Sequence, residues 1–416
     1  MEPDLVLTTA LITNDAVVLG LLAITLGLVV WTSSRPAGGW HRFYSYVPAL
    51  LLCYFLPALY NTFGIIDGSA SGLYPMARDY LLPTALVLLT LSIDFKGIAR
   101  LGSKAMIMFL VGTVGVMVGA LVAFAVFEVV SPQTVSGDTW RGMTTVAGSW
   151  IGGGANQAAM KEVFAVEDNL FGQFIAVDVL VASVWLAILL FLAGRAEAFD
   201  RWTGADTRAI EDMKQRIEAY QAEHSRVLTL PELMMIIAVG LGATGLAHAL
   251  GVPLAAWIDS AAPALARYSL TAVFFWVVVF ATTIGLLLSF TPLRRLEGAG
   301  ASRIGSAALY VLVATIGMHM DLGALLERPR LFALGFVWIT VHAVLMLVIA
   351  KLIKAPLFFM AVGSQANIGG AASAPVVATA FHPSLAPVGV LMAVLGYALG
   401  TYCAYITGLL LQGMAT

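Results

Sequence analysis

Long apolar runs alternate with short polar segments along almost the whole chain. The runs lie at about 16–32, 44–63, 79–94, 104–128, 170–194, 233–251, 269–290, 304–320, 331–350 and 385–411. Each is close to the roughly 20 residues that cross ~30 Å of hydrocarbon as an α-helix, which rises about 1.5 Å per residue. The pattern therefore predicts an all-α polytopic membrane protein with ten spans.

Two further apolar segments, at about 143–163 and 356–380, are interrupted by Gly, Ser, Asn, Gln and Pro. Backbone that leaves the helical hydrogen-bond pattern is tolerated at membrane depth only where protein or a water-filled cavity satisfies it. We therefore expect each segment to be a broken, re-entrant helix that returns to the membrane face from which it came.

The one long polar segment is 195–229, in which Ile210, Met213, Ile217 and Tyr220 recur at helical spacing. This spacing predicts an amphipathic linker helix at the membrane surface, with a regulatory or partner-binding role as the alternative. The linker separates two halves, 1–194 and 230–416.

Lysine and arginine positions indicate how the chain is oriented. If both interrupted segments return, one orientation places 16 of the 22 Lys and Arg residues in cytoplasmic loops, at 33–43, 94–104, 195–229, 291–303 and 351–354. A smaller share would be cytoplasmic if both segments crossed, so the positive-inside rule favours re-entrant segments. The rule predicts a cytoplasmic linker and periplasmic or extracellular termini. Because the sequence looks prokaryotic and shows no transit peptide, the bacterial inner (plasma) membrane is the expected location. The acidic N-terminal stretch lacks the basic region of a secretory signal, so we expect the first span to be retained.

Composition agrees with a membrane protein, since 60% of residues are hydrophobic and only 11% are charged. The net charge of −2 gives no reason to expect a nucleic-acid partner. Cys53 and Cys403 lie in apolar runs and are expected to be buried thiols. The sequence has no H-E-x-x-H, no Cys/His cluster, no phosphate-binding loop and no G-x-S-x-G, so it predicts neither an enzyme nor a bound cofactor.

The two interrupted segments contain related motifs, AGSWIGGGANQAAM at 147–160 and VGSQANIGGAASAP at 362–375. Both have a Gly-Ser pair, a short spacer, adjacent glycines and then small residues, and each precedes the last span of its half. Five spans and one returning segment per half make an odd number of crossings, so the second half would start from the opposite face. The sequence thus predicts an inverted repeat, which is typical of secondary transporters.

Broken helices supply the chemistry of a binding site. Glycine lets the backbone approach a ligand, while free carbonyl and N–H ends of half-helices suit cations and anions respectively. Small residues that merely allow close helix packing are the alternative. No arginine or lysine lies deep in either segment to bind a carboxylate. The predicted substrate-binding set is Ser149, Gly152, Gly153, Gly154, Asn156, Gln157, Ser364, Gln365, Asn367, Gly369, Gly370 and Ser373.

Asp178 is a carboxylate within an apolar run, and such a residue is a functional candidate because burying its charge is costly. It could ligate Na⁺, carry a coupling proton or pair with a buried donor. Together with Asn156 and Asn367 it forms the predicted cation-coupling set. His342, also within a span, is expected to hydrogen-bond a neighbouring side chain.

The motifs GSWIGGGANQAAM and GSQANIGGAASAP resemble those of the YjcL-like family of uncharacterised bacterial integral membrane proteins, over nearly the whole chain. They are more distantly similar to glutamate:sodium symporters and citrate-type 2-hydroxycarboxylate symporters, which carry Gly-Gly-x-Gly motifs in two re-entrant segments. The distant resemblance implies a homodimer in which a transport domain slides against a scaffold. It places the glycines at 152–154 and 369–370 at two hairpin tips, with the substrate between them and Na⁺ nearby.

These patterns favour a secondary active transporter that couples Na⁺ to the symport of a small polar or anionic organic solute by an elevator-type mechanism. Two alternatives stay open. One is a proton-coupled exchanger or exporter with Asp178 as the proton carrier. The other is a non-transporting membrane scaffold or sensor that acts through its cytoplasmic linker.

Overall fold

The structure is a computed structural model that describes residues 10–35, 38–44, 47, 49–99, 101–205, 210, 228–320, 328–382 and 385–415. The main helices of the first half are α1 (Asp15–Ser33), α2 (Ala49–Thr62), α3 (Leu82–Leu91), α4 (Ser103–Val130), α5 (Thr139–Gly152), α6 (Gly154–Val163) and α7 (Asp168–Ala193). Those of the second half are α8 (Leu230–Ala261), α9 (Val273–Leu288), α10 (Ala301–Gly317), α11 (Arg330–Leu352), α12 (Leu357–Ile368), α13 (Gly370–Phe381) and α14 (Ala386–Ala415). Shorter helical pieces are Gly39–Tyr44, Leu73–Met76, Ala77–Leu81, Phe95–Ala99, Pro132–Val135, Ala196–Thr203, Pro263–Tyr268 and Pro292–Ala299.

The all-α prediction is confirmed, and each of the ten predicted runs coincides with a helix. Six helices, α1, α4, α7, α8, α11 and α14, are long and apolar enough to cross a membrane. A seventh span is possible if α9 is counted with Pro292–Ala299, which bends away from it by 96°. The chain is therefore a multi-pass membrane protein, and the other predicted spans are shorter apolar helices.

A proline explains how the shorter helix α3 begins. Pro83 has no backbone N–H, so it cannot donate to the carbonyl of Asp79 four residues earlier. The chain passes through the π-helical turn Ala77–Leu81 at this point. The Asp79 carbonyl instead lies 2.9 Å from Nε2 of His248, which ties α3 to α8.

The helices group into two bundles. Helices α1–α3 pack with α8–α10, and we call this set the six-helix bundle. Helices α4–α7 pack with α11–α14, and we call this set the hairpin bundle. The two bundles contact each other mainly where α6 and α14 meet α3, α9 and α10.

The same order of helices occurs in both halves: three helices, one long helix, two short helices separated by glycine, and another long helix. The first three helices of each half contribute to the six-helix bundle, and the last four to the hairpin bundle. Opposite membrane orientation of the halves, and the boundaries 1–194 and 230–416, stay predictions.

Most of the predicted linker 195–229 lies outside the described residues. Its described beginning contains the helix Ala196–Thr203, which packs against α11 and α12. The Asp200 carboxylate accepts a hydrogen bond of 2.7 Å from the backbone N–H of Leu357, at the start of α12. Burial raises the pKa of Asp200, and the Leu357 hydrogen bond offsets only part of that effect.

Candidate functional site

Helices α5 and α6 form a first hairpin with its turn at Gly153. Gly153 has φ of +76° and ψ of −175°, an extended conformation with positive φ that essentially only glycine adopts. A Cβ atom on Gly148 would lie 2.6 Å from the carbonyl oxygen of Asn156, so the chain folds back on itself. Residues eight apart in a straight helix would be separated by about 12 Å.

Asp178 of α7 is buried beside this hairpin and accepts hydrogen bonds from both of its arms. Nε1 of Trp150 donates to Oδ1 at 2.6 Å, and Nε2 of Gln157 donates to Oδ2 at 3.0 Å. The Ser149 hydroxyl is a third hydrogen-bond partner. Of the three roles considered for Asp178, the structure shows pairing with buried donors, which offsets the cost of burying the carboxylate. Ion and proton coupling stay predictions.

Asn156, just beyond the turn, ties the first hairpin to α14. Its Nδ2 donates to the carbonyl oxygens of Gly152 and Tyr397, both at 3.0 Å. Its Oδ1 accepts from the hydroxyl of Thr401 at 2.6 Å. Thr401 also lies 3.1 Å from the hydroxyl of Thr282 in α9, so the network reaches the six-helix bundle.

Asn367, just before the second turn, repeats this arrangement with α4. Its Nδ2 donates to the carbonyls of Gly363 at 2.9 Å and Phe109 at 3.0 Å, while Oδ1 accepts from Thr113 at 2.8 Å. As in the first hairpin, one carbonyl lies four residues earlier in the same hairpin, and the other belongs to the opposite half of the chain. A cation-coupling role for either asparagine would require some of these bonds to break.

Helices α12 and α13 form a second hairpin with its turn at Gly369 and Gly370, and Gly370 has φ of +56°. Nε2 of Gln365 donates to Oγ of Ser373 at 2.6 Å, which again joins residues eight apart. These two residues lie four positions before and after Gly369. Ser149 and Gln157, which are hydrogen-bond partners of Asp178, have the same spacing, four positions before and after Gly153.

Ser364 joins the second hairpin to two neighbouring helices. Nε1 of Trp185 in α7 donates to its Oγ at 2.8 Å. The Ser364 hydroxyl is also 2.8 Å from Nε2 of His342 in α11, so His342 bonds a neighbouring side chain as expected. The sequence did not single out Trp185, because a tryptophan in an apolar run is indistinguishable from ordinary core.

The two turns meet. A Cβ atom on Gly370 would lie 4.0 Å from Cα of Gly153. On the other side, a Cβ atom on Gly154 would lie 3.6 Å from Leu309 of α10 and 3.8 Å from Leu50 of α2. The hairpin tips therefore face each other and the six-helix bundle.

Gly152 has a different role from its neighbours, because it packs against α14. A Cβ atom there would lie 2.7 Å from the carbonyl oxygen of Gly396, and a Cβ atom on Gly400 would lie 2.6 Å from Cα of Gly152. Close helix packing, the alternative explanation for the small residues, thus accounts for this glycine.

Four helix ends come together at the meeting turns. Helices α5 and α12 end there with partial negative charge on their carbonyls, and α6 and α13 begin there with partial positive charge on their N–H groups. Such a junction can hold a cation beside the carbonyl ends and an anionic or polar group beside the N–H ends. Among the described residues, no three His, Cys, Asp or Glu side chains form a group that could hold a metal ion.

Lys161, at the foot of the first hairpin, belongs to a charged cluster that the sequence did not predict. Its Nζ lies 2.9 Å from Asp168 and 3.2 Å from Glu162, and it donates to the Tyr74 hydroxyl at 2.8 Å. Tyr74 also donates to Glu162. Because Tyr74 lies in the helical turn that leads into α3, this cluster joins the hairpin bundle to the six-helix bundle. The Lys-Glu pair directly after the first motif was the available signal.

Comparison with known proteins supports the resemblance inferred from the two motifs. Residues 20–414 match a family described as "Protein of unknown function (DUF819)". The "Uncharacterized membrane protein YjcL" of Bacillus subtilis (strain 168) is 23% identical over 344 residues, which cover 81% of this chain and 83% of that protein. The predicted resemblance to YjcL-like membrane proteins is therefore confirmed.

Proposed function

The chain belongs to the DUF819 family, and from this premise we propose that it is a secondary active transporter. In this proposal it couples Na⁺ to the symport of a small polar or anionic organic solute. The observation that carries the proposal is the meeting of two glycine turns, where a Cβ atom on Gly370 would lie 4.0 Å from Cα of Gly153. Interrupted helices at membrane depth are tolerated where protein or a water-filled cavity satisfies the freed backbone groups, and paired interruptions of this kind form the substrate sites of inverted-repeat transporters.

The substrate would bind between the hairpin tips and the six-helix bundle, where Gly154 faces Leu50 and Leu309. Glycines 153, 154 and 370 would contact it through backbone groups. Most polar side chains of the predicted set are already bonded within the protein, and we assign these a positioning role. They are Ser149, Asn156, Gln157, Ser364, Asn367 and Ser373.

The division into two bundles supports an elevator-type mechanism. Both hairpins lie in one bundle, and that bundle contacts the other mainly through α6 and α14. Movement of the hairpin bundle along the six-helix bundle would carry the site from one membrane face to the other. We further propose a homodimer in the bacterial inner membrane, with both termini outside and the linker in the cytoplasm.

One observation favours a second candidate, the proton-coupled exchanger. Asp178 is a buried carboxylate whose donors come from both arms of a hairpin, so its protonation would loosen that hairpin. Proton and Na⁺ coupling make different predictions for the same variant. Asp178→Asn should make a proton-driven flux insensitive to pH, whereas a Na⁺-driven flux should keep its dependence on the Na⁺ gradient.

The test is uptake of radiolabelled organic acids and amino acids into proteoliposomes that contain the full chain. Transport should appear as accumulation driven by an inward Na⁺ gradient and abolished when an ionophore collapses that gradient. Protein-free liposomes and a proton gradient without Na⁺ are the controls. If neither gradient drives accumulation of any solute in the panel, a membrane scaffold or sensor becomes the better explanation.

A further inference from the structure

The amide of Gln365 is buried and only partly satisfied. Its side chain is 1% exposed. Its Nε2 donates to Ser373, but its Oε1 has no hydrogen-bond partner among the described residues. A buried carbonyl oxygen without a partner has lost its hydration without compensation, so a native protein needs a reason to keep one.

This oxygen belongs to an amide that lies directly over the second turn. A Cβ atom on Gly369 would be 2.3 Å from Nε2 of Gln365. Helix α12 ends one residue before that glycine, so its last carbonyls add partial negative charge at the same point. The segment 357–381 contains no Asp, Glu, Lys or Arg, so any charged partner for this oxygen would come from outside the hairpin.

The first hairpin differs in one respect. Its equivalent polar pair, Ser149 and Gln157, holds the carboxylate of Asp178 on the following helix α7. Helix α14, which follows the second hairpin, contains no Asp or Glu between residues 386 and 415. In the first hairpin the polar pair is thus hydrogen-bonded to a carboxylate. In the second hairpin the Gln365 oxygen is neutral and has no hydrogen-bond partner among the described residues.

We propose that Oε1 of Gln365, with the carbonyl oxygens at the C-terminal end of α12, binds a monovalent cationic group. This group is either Na⁺ or the ammonium group of a solute. Neutral oxygens alone suit a single charge, because Ca²⁺ and Mg²⁺ sites usually include carboxylates. The inference rests on the proposed transport function and deepens it. It places the cation site at the second hairpin instead of at Asp178, Asn156 and Asn367. The polar atoms of those three side chains are hydrogen-bonded within the protein.

The experiment measures the thermal unfolding midpoint of the full-length protein in detergent, titrated with NaCl, methylammonium chloride or choline chloride. A bound cation stabilises the folded state by mass action, so the midpoint should rise with Na⁺ or methylammonium and not with choline. Gln365→Met removes the oxygen and should raise the half-saturating concentration about tenfold or more, the effect of one lost ligand. Gln365→Glu adds a negative charge and should lower it.

The comparison variant is Ser373→Ala, which removes the partner of Nε2 but leaves Oε1 in place. Because the proposed cation ligand is kept, its half-saturating concentration should rise by less than that of Gln365→Met. If Gln365 had only a structural role, Gln365→Met and Ser373→Ala would both shift the unfolding midpoint in the absence of salt. Neither variant would then change the half-saturating cation concentration.

Two results would overturn the inference: no cation response in the wild type, or equal half-saturating concentrations in the wild type and Gln365→Met. A response to Na⁺ alone identifies the ion, and a response to methylammonium alone identifies a solute ammonium group. If the response depends on Gln365 but proteoliposomes accumulate no solute, the cation site stands and the transport function fails. If proteoliposomes accumulate solute but the unfolding midpoint shows no cation response, the transport function stands and the cation site fails.

Discussion

Asn156 and Asn367 make the same set of three hydrogen bonds, one set in each hairpin, and we call each set a hydrogen-bond unit. Each donates to a carbonyl in its own hairpin and to a carbonyl from the other half, and each accepts from a threonine four residues beyond that second carbonyl. Such a unit fixes both the depth and the rotation of a hairpin against its neighbour. Removing one of these side chains deletes the three hydrogen bonds of a buried amide, and the loss of a buried hydrogen-bond partner costs about 1–3 kcal/mol.

We therefore predict that Asn156→Ala lowers the free energy of unfolding by about 1–3 kcal/mol. Because Thr401 donates to the same amide, Asn156→Ala and Thr401→Val should couple by about 0.5–2 kcal/mol in a double-mutant cycle. The measurement is reversible unfolding in mixed detergent micelles.

The control cycle combines Asn156→Ala with Thr113→Val, which belongs to the unit of Asn367. Those two effects should add. Equal coupling in both cycles would contradict the assignment of Thr401 as the partner of Asn156.

At the scale of single elements, the three consecutive glycines of the first hairpin have three different surroundings. Gly152 is packed against α14, Gly153 needs a positive φ with extended ψ, and Gly154 begins α6 with ordinary contact distances around a Cβ atom. The same residue type therefore serves packing, backbone conformation and helix start in adjacent positions.

This difference predicts a graded effect of alanine. Gly154→Ala should be neutral or stabilise by up to about 1 kcal/mol, because alanine favours the helix. Gly153→Ala should destabilise by about 1–3 kcal/mol, because its positive φ with extended ψ is strained for alanine. Gly152→Ala should cost more than either, because its Cβ would lie 2.2 Å from Nδ2 of Asn156. Thermal unfolding of the three variants gives the order, and a Gly154→Ala variant as unstable as Gly152→Ala would contradict it.

Several of these elements could be predicted from the sequence alone. Apolar runs located the helices because helix length and hydrophobicity are local properties, and the glycine motifs located both turns. The partners of the polar residues could not be predicted in this way. Tyr397, which accepts from Asn156, lies 241 residues away, and a backbone carbonyl has no sequence signature. Lys161 lies at the end of the first interrupted segment, yet its side chain is only 6% exposed because Tyr74, Glu162 and Asp168 surround it.

At the scale of the whole molecule, the six-helix bundle and the hairpin bundle meet through few helices. Polar contacts between them include the pair Thr282 and Thr401, with hydroxyl oxygens 3.1 Å apart. An otherwise similar pair, Thr84 and Thr244, lies within the six-helix bundle at 2.9 Å. The two pairs allow sliding of the bundles to be tested with matched cross-links.

In a variant without Cys53 and Cys403, we expect a disulfide between Thr282→Cys and Thr401→Cys to reduce transport at least about tenfold. That loss equals roughly 1.4 kcal/mol in the limiting step. Reduction should restore the flux to the level of the uncross-linked double variant, which controls for loss of the Thr401 hydroxyl. A disulfide between Thr84→Cys and Thr244→Cys should leave transport unchanged. Full activity of the oxidised interbundle variant would show that the bundles do not slide at this contact.

The bonds between halves also have a consequence for biosynthesis. Asn156 finds its acceptor on Tyr397 241 residues later in the chain, and ribosomes add about 5–20 residues per second, so roughly 12–50 s separate the two. During that interval the first hairpin leaves the ribosome without the hydrogen bonds that Asn156 makes to Tyr397 and Thr401 of α14. An insertase or chaperone that shelters the nascent hairpin would have to hold it until the last helix is synthesised, so truncation before α14 should expose the first hairpin to quality-control proteolysis.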